Sequence, residues 1–558
     1  MRAKSSWAGC CSVLLLFLAS FSLASTPAAA ADARLADAVR HGQMDVARNL
    51  LKQRVDVNLA LPDGTTALHW AVERSDAELT SLLLGAGANS NSVSAFGVTP
   101  LSLACRNGDA AIVRILLRAG ANANTPLRTG ETPLMTAART GRVEPVMALL
   151  EAGADLKAKE PVGGQTAVMW SIAEGHKDVT AALITAGASV HDASRRGFTP
   201  LLFAARNGDV EITKLLLAAG VDVNETSRDG TTALVIATIR SQVAYAKFLL
   251  EHGADPKKGP GFTPLHWVVG DWSSELSGDH TDIRPEGTEW DRVLPLQGQA
   301  RLDFIQMLLD HGADINARAQ SSPSVRVGTG GAMRSGGAAP PPAAKPTVAG
   351  RDPGPAPAAA TPLAAGQSGA GVGPGGVGPG GSYGAGRMGG ATAFYIAAQE
   401  ADVPLMKFLV SKGADPLIRT ARNVSPLMAA AGLDAAESIG YTGIKEADAL
   451  EAVKLCLELG DDVHTLSVDN ENALHGAAYR GNAGSNKIAQ VLIDRGIEVD
   501  VKNKRGWTPV TLAEGIYTAN SNSKNPELEQ LLLEHGGKSS PPGIERDSYA
   551  VIKDEPQQ

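Results

Sequence analysis

The segment Gly97-Val-Thr-Pro-Leu-Ser-Leu-Ala104 decides the fold of this chain, because the same pattern returns along the sequence. Gly130-Glu-Thr-Pro-Leu-Met-Thr-Ala137 and Gly197-Phe-Thr-Pro-Leu-Leu-Phe-Ala204 keep its Gly, Thr, Pro, Leu and final Ala. The glycines that begin such segments follow one another at 33 residues, with a single spacing of 34: Gly64, Gly97, Gly130, Gly164, Gly197 and Gly230. A second set keeps the same interval: Gly87, Gly120, Gly153, Gly187, Gly220 and Gly253. So regular a period indicates stacked copies of one small unit.

Each copy predicts two short helices followed by a turn. The Thr99 hydroxyl is suited to cap a helix, and the proline after it fits the first helical turn, where a missing N–H costs nothing. We expect this helix to run over 100–106 and to end at Gly108, which tolerates the left-handed backbone conformation. A second helix over 112–118 carries paired leucines toward the core, and the turn after Gly120 leads to the next copy.

A single copy is too thin to fold alone. The chain is 44% hydrophobic but only 4% aromatic, so its core is built mainly from Ala, Leu and Val. Such small side chains suit thin layers, and each layer then depends on its neighbours for most of its buried surface. The sequence therefore predicts an elongated stack.

These copies resemble the ankyrin repeat, whose signature is Thr-Pro-Leu-His-x-Ala. Gly64-Thr-Thr-Ala-Leu-His-Trp-Ala71 and Gly261-Phe-Thr-Pro-Leu-His-Trp-Val268 retain even the His. The resemblance covers most of residues 33–537. It implies an all-α fold, an α-solenoid of about twelve stacked helix-turn-helix repeats. It also implies that His69, His266 and His475 are hydrogen-bonding residues of the scaffold.

The repeats form two blocks in the sequence, repeats 1–8 over 33–316 and repeats 9–12 over 391–537. Residues 317–390 between them are mostly Gly, Ala, Pro and Ser, so we expect this linker to be disordered, and likewise the tail 538–558. The blocks could be separate, or one continuous stack from which the linker projects. The linker is basic, so it could be attracted to the acidic array, but a solvated linker is the favoured interpretation.

Four repeats are longer than the others, in each case between their first and second helices. Repeat 8 is split by residues 272–300, and repeats 10, 11 and 12 are extended near 433–446, 481–487 and 515–525. In a stack, additions at equivalent positions lie along one shared rim.

The first thirty residues have the composition of an export signal. Arg2 and Lys4 precede an apolar run from Cys10 to about Ala24, and small residues near Ala29 offer a cleavage site. The run is shorter than a membrane-spanning helix requires, so we expect no integral membrane segment after cleavage. Residues 1–30 are therefore predicted to be a signal peptide, and the mature protein to be periplasmic or extracellular.

No sequence motif indicates catalysis. The glycines over 371–376 satisfy a dinucleotide-binding pattern, but no strand precedes them and no helix follows. Paired zinc-ligand spacing and a phosphate-loop lysine motif are both absent from the sequence. We therefore expect no catalytic residues, no cofactor and no metal. The net charge of −8, without a Lys/Arg stripe, argues against nucleic acid as a partner.

Two groups of residues are candidates for binding a partner. An aromatic residue stands six positions after the repeat glycine in several copies: Trp70, Trp170, Phe203 and Trp267. In ankyrin proteins this position lies toward the concave face, and aromatic residues are enriched in binding hot spots. The alternative is that these rings fill space between repeats. The second group lies at the tips of the turns, where a solvated rim is the alternative: Arg195, Arg196, Arg228 and Asp229.

The resemblance implies a non-catalytic scaffold or adaptor that binds protein partners on its concave face. We expect it to be monomeric and to act outside the cytoplasm. One alternative is a secreted effector that acts on a host or competitor protein. Another is an enzyme built from the rim insertions, with a polar cluster in repeat 8 as its site: Asp271, Asp279, His280 and Asp282.

Overall fold

The computed structural model describes residues 27–270, 296–320, 388–433, 445–480, 485–515, 517–518, 521–522 and 524–541. Within these ranges the chain forms twelve consecutive pairs of antiparallel helices, one pair per repeat. The predicted all-α solenoid of about twelve repeats is therefore confirmed.

The first helix of each repeat is short and mostly buried. From repeat 1 to repeat 12 these helices are Pro27–Arg40, Ala67–Glu73, Pro100–Asn107, Pro133–Arg139, Ala167–Ala173, Pro200–Asn207, Ala233–Ile239, Pro264–Val269, Ala393–Gln399, Pro426–Ala431, Ala473–Tyr479 and Pro509–Glu514.

The second helix of each repeat packs against the first helix and against the second helices of neighbouring repeats. In the same order these helices are Met44–Lys52, Ala77–Gly85, Ala110–Arg118, Val143–Glu151, Lys177–Thr185, Val210–Ala218, Val243–Glu251, Gly298–Asp310, Val403–Ser411, Glu446–Glu458, Ser485–Asp494 and Pro526–Glu534. Two antiparallel two-residue strands, Tyr517–Thr518 and Ser521–Asn522, lie between the helices of repeat 12.

Local sequence explains where the helices begin and end. The Thr99 hydroxyl accepts the Ser102 N–H at 3.1 Å, Pro100 occupies the first turn, and Gly108 closes the helix at φ 69°. The second helix of this repeat begins at Ala110, two residues before the predicted start. The reason is Asp109, whose carboxylate accepts the N–H groups of Ala111 and Ile112 and so caps an earlier turn.

Successive repeats are joined by turns that we call fingers, each leading from a second helix to the next first helix. A finger is closed by two backbone hydrogen bonds. In the finger before repeat 3, the Ser94 N–H donates to the Val98 carbonyl and the Gly97 N–H to the Ser94 carbonyl, both at 2.9 Å. The finger tip contacts the previous one through a bond from the Ala95 N–H to the Asp63 carbonyl at 2.8 Å.

Asparagine side chains connect the bases of neighbouring fingers. Asn124 donates to the Gly153 carbonyl at 3.0 Å and accepts the Asp155 N–H at 2.7 Å. Equivalent pairs of bonds are made by Asn58, Asn91, Asn224 and Asn316. One side-chain amide thus satisfies a donor and an acceptor of the next repeat.

The three repeat histidines link each repeat to the following one. In His475, Nδ1 accepts the Asn472 N–H at 3.2 Å, so Nε2 carries the ring proton and donates to the Trp507 carbonyl at 3.2 Å. His69 makes the same contacts with Thr66 and Val98. The scaffold role that the resemblance implied for these residues is confirmed by this geometry.

Repeats 8 and 9 pack directly on each other although residues 321–387 separate them in the sequence. Their first helices are in contact, and Arg301 forms an ion pair with Asp402 across the joint. The Ala319 N–H donates to the Ala391 carbonyl at 2.8 Å, and the Gly390 N–H donates to the Ala319 carbonyl at 2.6 Å. The same two bonds close the finger before repeat 3 and most of the other fingers. The array is therefore one continuous stack, and the Gly/Pro/Ala-rich segment is inserted at the tip of one finger.

In each of the four longer repeats, the bounds of the two helices confirm that the extra residues lie between the first and the second helix. In repeat 8 the first helix ends at Val269 and the second begins at Gly298. In repeat 10 the corresponding residues are Ala431 and Glu446. The connection between the two helices of a repeat lies at one end of the helices, and the finger lies at the other end. The points where the four additions enter the chain therefore lie at the edge of the stack opposite the fingers.

Several expectations concern residues outside the described ranges. The predicted signal segment lies almost entirely in residues 1–26, and the polar cluster of repeat 8 lies in 271–295. Over the part of the chain that is described, no helix is both long enough and apolar enough to cross a bilayer. Cys105 and Cys456 are buried and unpaired, as free hydrophobic-like cysteines are expected to be.

Candidate protein-binding surface

The aromatic residues predicted to bind a partner are largely buried. Phe203 is 1% exposed, Trp267 5% and Trp170 8%, while Trp70 is partly exposed. Phe203 packs edge-on against Phe198 with ring centroids 5.7 Å apart, and Trp267 packs against Phe262 at 5.8 Å. These rings therefore fill the space between repeats and fingers. The prediction of an aromatic contact surface is wrong for Phe203, whose ring is enclosed by its own repeat and its neighbours.

Arginines cover the edges of this aromatic row on the solvent side. The Arg40 guanidinium of repeat 1 lies 4.9 Å from the centre of the Trp70 ring in repeat 2. Arg139 of repeat 4 lies 5.1 Å from the Trp170 ring in repeat 5. Cation–π contacts of this kind restrain a long side chain and hold its charge in one place. The row therefore presents positioned guanidinium groups.

These arginines occupy one position of the first helix, nine residues after the repeat glycine. Arg106 is the member in repeat 3 and forms an ion pair with Glu73 of repeat 2. Arg139 lies 3.6 Å from the buried Glu131 carboxylate, which also accepts the Thr136 hydroxyl proton at 2.8 Å. We call the exposed side of the first helices, with its arginines, the inner surface.

The finger tips form a second candidate binding surface, next to the inner surface. Arg195, Arg196 and Arg228, the candidates at the finger tips, are exposed, and Asp229 is half-buried because it accepts bonds from Ser227 and Thr231. Exposed apolar side chains also occur at finger tips: Phe96 is 70% exposed in the finger before repeat 3, and Val162 is 67% exposed in the finger before repeat 5. Exposed apolar groups among fixed cations are the composition of a protein-binding surface.

The stems of the finger-tip arginines lie directly on the preceding repeat glycines. A Cβ atom on Gly164 would lie 2.8 Å from Cγ of Arg195, and one on Gly197 would lie 2.6 Å from Cγ of Arg228. Both glycines also have positive φ, 68° and 84°. Only glycine satisfies both requirements without strain, so the repeat glycine has a second role as a seat for the next arginine.

An open cleft of 470 Å³ lies between the tips of the fingers that precede repeats 5, 6 and 7. Lys159, Arg195 and Arg228 line it, with Pro161 and Ser194 between them. The sequence indicated part of this cleft, because arginine occupies the same finger position in two successive copies. That these side chains converge on one cleft follows only from the stacking.

Within the described ranges no group of three or more His, Cys, Asp or Glu side chains is arranged to hold a metal ion. The buried histidines have lowered pKa values because burial disfavours their charged form, to about 4 for His266 and for His475. They serve as neutral hydrogen-bonding groups of the scaffold.

Comparison with known proteins agrees with the fold and the periodicity. The family described as "Ankyrin repeats (3 copies)" matches residues 35–127, 74–160, 119–194, 157–227 and 183–259, and the family "Ankyrin repeat" matches 389–421. The chain is an ankyrin-repeat protein. Its array is similar to the crystal structure of the human ASB11 ankyrin repeat domain, at 30% identity, with 42% of this chain and 100% of that chain covered and a TM-score of 0.36. Among curated proteins none matches this chain.

Ankyrin repeats form protein-binding domains, and this defines the general function of the array. The family matches cover the first seven repeats and, separately, repeat 9 with both of its helices. The inner surface with its positioned arginines lies in the first of these regions.

Proposed function

We propose that this protein is a non-catalytic scaffold that binds a protein partner on the inner surface of repeats 1–7. The observation that carries the proposal is the row of guanidinium groups held on tryptophan rings, Arg40 on the partly exposed Trp70 and Arg139 on the buried Trp170. Arginine is enriched in binding hot spots, and a side chain already restrained in the free protein loses less entropy when a partner binds.

The continuity of the stack supports a scaffold more than a small binding module. Twelve repeats form one array, so partners bound at different repeats would be held at fixed distances from each other. On the second helices, which we call the outer helices, charged residues form local pairs such as Lys177 with Glu211. Local pairs on an exposed helix face contribute little to binding or stability.

Replacement of the inner arginines tests this proposal. The full chain, used as bait, should lose its protein partners when Arg40, Arg106 and Arg139 are replaced by Ala. A matched control replaces Arg114, Arg118 and Lys247, three exposed cations of the second helices, and should retain them. Mass spectrometry of the captured proteins provides the measurement. If the two baits recover the same partners in the same amounts, the inner surface is not the binding site.

We also propose that the protein acts outside the cytoplasm, after export directed by residues 1–30. The support is the charged start, the short apolar run and the small residues near Ala29. The exported chain should begin close to residue 31 when its N-terminus is sequenced, and a chain lacking 1–30 should stay in the cytoplasm. An intact N-terminus on cytoplasmic protein would contradict this proposal.

A further inference from the structure

We propose that the finger-tip cleft binds an extended acidic segment of the partner protein, with carboxylates spaced to meet the successive fingers. The cleft is the one defined above by Lys159, Arg195 and Arg228, with Pro161 and Ser194 between them. This inference rests on the proposed scaffold function and adds the chemistry of the partner.

The first argument is that two of the three cations of the cleft, Arg195 and Arg228, are not neutralised. Among the described residues, no carboxylate lies within ion-pair distance of Arg195 or Arg228, and Lys159 has a 3.5 Å contact with Asp192. Glu160 is turned inward, where its oxygens accept the N–H groups of Val162, Gly163 and Gln165 at 2.7–2.9 Å.

The other carboxylates nearby are also engaged in hydrogen bonds within the array. Asp229 accepts from the Ser227 hydroxyl and the Thr231 N–H, and the half-buried Glu225 accepts from the Thr199 hydroxyl. The cleft therefore presents positive charge in a chain whose net charge is −8.

In fingers near the other end of the array, by contrast, cations at the finger tips are neutralised by a carboxylate of a neighbouring finger. Arg422 and Lys504 lie at finger tips before repeats 10 and 12, and Asp469 of the finger between them forms ion pairs with both. The arginine beside Asp469 holds the pKa of that carboxyl below its usual value. Lys504 occupies the finger position of Arg195 and Arg228, so this one position carries an internal ion pair in one part of the stack and unpaired cations in another. The unpaired cations require an external anion for the same compensation.

The second argument is that the cations are pre-positioned. The stems of Arg195 and Arg228 lie against Gly164 and Gly197, at distances that exclude any Cβ atom on those glycines. A stem packed on backbone has few alternative rotamers, so the guanidinium group is directed before a ligand arrives.

The third argument is spacing. Successive finger tips are separated by about 10 Å, the distance between packed helices. Three residues of an extended chain also span about 10 Å. An extended segment with an acidic residue at every third position would therefore meet one finger with each carboxylate, and its apolar residues could contact the exposed Val162.

A protein segment fits this surface better than a nucleic acid does. A nucleic acid is a continuous polyanion and would be repelled by the acidic remainder of the chain. A short acidic segment experiences mainly the local cations, because salt screens charges more than about 10 Å away.

The test is fluorescence anisotropy with the full chain and a labelled 13-residue peptide carrying Glu at every third position and Ser or Val elsewhere. We expect binding at 50 mM NaCl that weakens as salt rises. The double variant Arg195→Glu with Arg228→Glu should weaken binding tenfold or more, since attraction is replaced by repulsion. The matched variant Arg114→Glu with Arg118→Glu changes the net charge equally on the outer helices and should change affinity less than twofold. All four side chains are exposed, so circular dichroism melting should be the same for both variants.

Four outcomes would overturn the inference. An equal loss of peptide affinity in both double variants would show that the overall charge of the protein, and not the cleft, controls binding. Equal affinity for a peptide of the same composition with adjacent glutamates would show that the spacing of the glutamates does not matter. Tighter binding of a labelled 13-nucleotide oligothymidine would show a nucleic-acid site. If the finger-tip variant still captures protein partners that the inner-arginine variant loses, this inference fails while the proposed scaffold function stands.

Discussion

At the scale of single residues, the buried histidines show how this stack depends on protonation. His266 Nδ1 accepts the Thr263 N–H at 3.1 Å, and Nε2 contacts the carbonyls of Ala317 and Ala391, one on each side of the inserted segment. A protonated ring has no acceptor nitrogen, so it would lose the bond that caps the helix. One neutral imidazole thus holds a helix start and the joint between repeats 8 and 9.

We expect the stack to lose stability in mild acid through these histidines. Burial lowers the pKa of His266 and of His475 from 6.5 to about 4, so the unfolded chain binds protons more readily below pH 6.5. Their contribution is fully present above pH 6.5 and is lost as the pH falls toward 4, with a loss of about 2 kcal/mol each by pH 5. Urea unfolding at pH 7 and pH 5 measures this.

The matched comparison is the double variant His266→Gln with His475→Gln. Glutamine supplies an acceptor and a donor but does not titrate, so the difference in unfolding free energy between pH 7 and pH 5 should shrink. An unchanged difference would mean that other groups cause the acid sensitivity.

At the scale of the structural element, one asparagine side chain connects the base of a finger to the base of the next finger. The Asn124 amide bonds both the Gly153 carbonyl and the Asp155 N–H. The equivalent residue of the next repeat is Lys157, which is exposed and makes no such pair of bonds among the described contacts. The strength of the connection between repeats therefore varies along the stack.

Two substitutions should change this connection in opposite directions. Asn124→Ala removes both bonds and should lower the free energy of unfolding by about 1–3 kcal/mol, because an acceptor and a donor lose their partner. In Lys157→Asn the new amide can bond the Gly187 carbonyl and the Ser189 N–H, which should raise the free energy of unfolding by about 1 kcal/mol. Thermal melting by circular dichroism measures both, and Lys157→Ala controls for loss of the lysine. A higher melting temperature for Asn124→Ala than for the parent would refute the role of this bond.

At the scale of the whole molecule, one continuous core runs through all twelve repeats, past the inserted segment. The residues on each side of the insertion, Gln320 and Met388, belong to one finger whose closing bonds join Ala319 to Gly390 and Ala391. Folding of the stack therefore does not need the segment between them.

Deletion of residues 321–388 should leave a folded array of unchanged or higher stability. The remaining turn, Ala319-Gln320-Gly389-Gly390-Ala391, has the length of the ordinary finger Ser94-Ala95-Phe96-Gly97-Val98. Removing a long loop lowers the entropy cost of closing the finger. Chemical unfolding of the deletion variant measures the effect.

A cleavable version provides the control. With a protease site placed inside 321–387, the two fragments should co-elute after cutting, because the joint and the Arg301–Asp402 pair hold them together. Separation of the fragments, or a lower stability of the deletion variant, would contradict the continuity of the stack.

The repeat fold could be predicted from sequence patterns that act over a few residues. The candidate site could be predicted from the sequence only in part. Thr99, Pro100 and Gly108 define a helix by their own backbone preferences, which act within a few residues. Burial of Trp170 could not be inferred in the same way, since it depends on the arrangement of the neighbouring repeats. The finger-tip arginines were candidates from sequence, but whether Asp192 or Asp229 neutralised them depended on side-chain directions that only the folded fingers define.

The sequence by itself determined the repeat unit, its number and the order of helices and fingers, because glycine, proline and cap residues act locally and return at a fixed period. Only the tertiary structure decided that the two blocks form one stack, that the aromatic row lies beneath arginines, and that Lys159, Arg195 and Arg228 meet in one cleft. Those features depend on contacts between residues of different repeats, and a periodic sequence specifies that repeats stack without stating which side chains then meet.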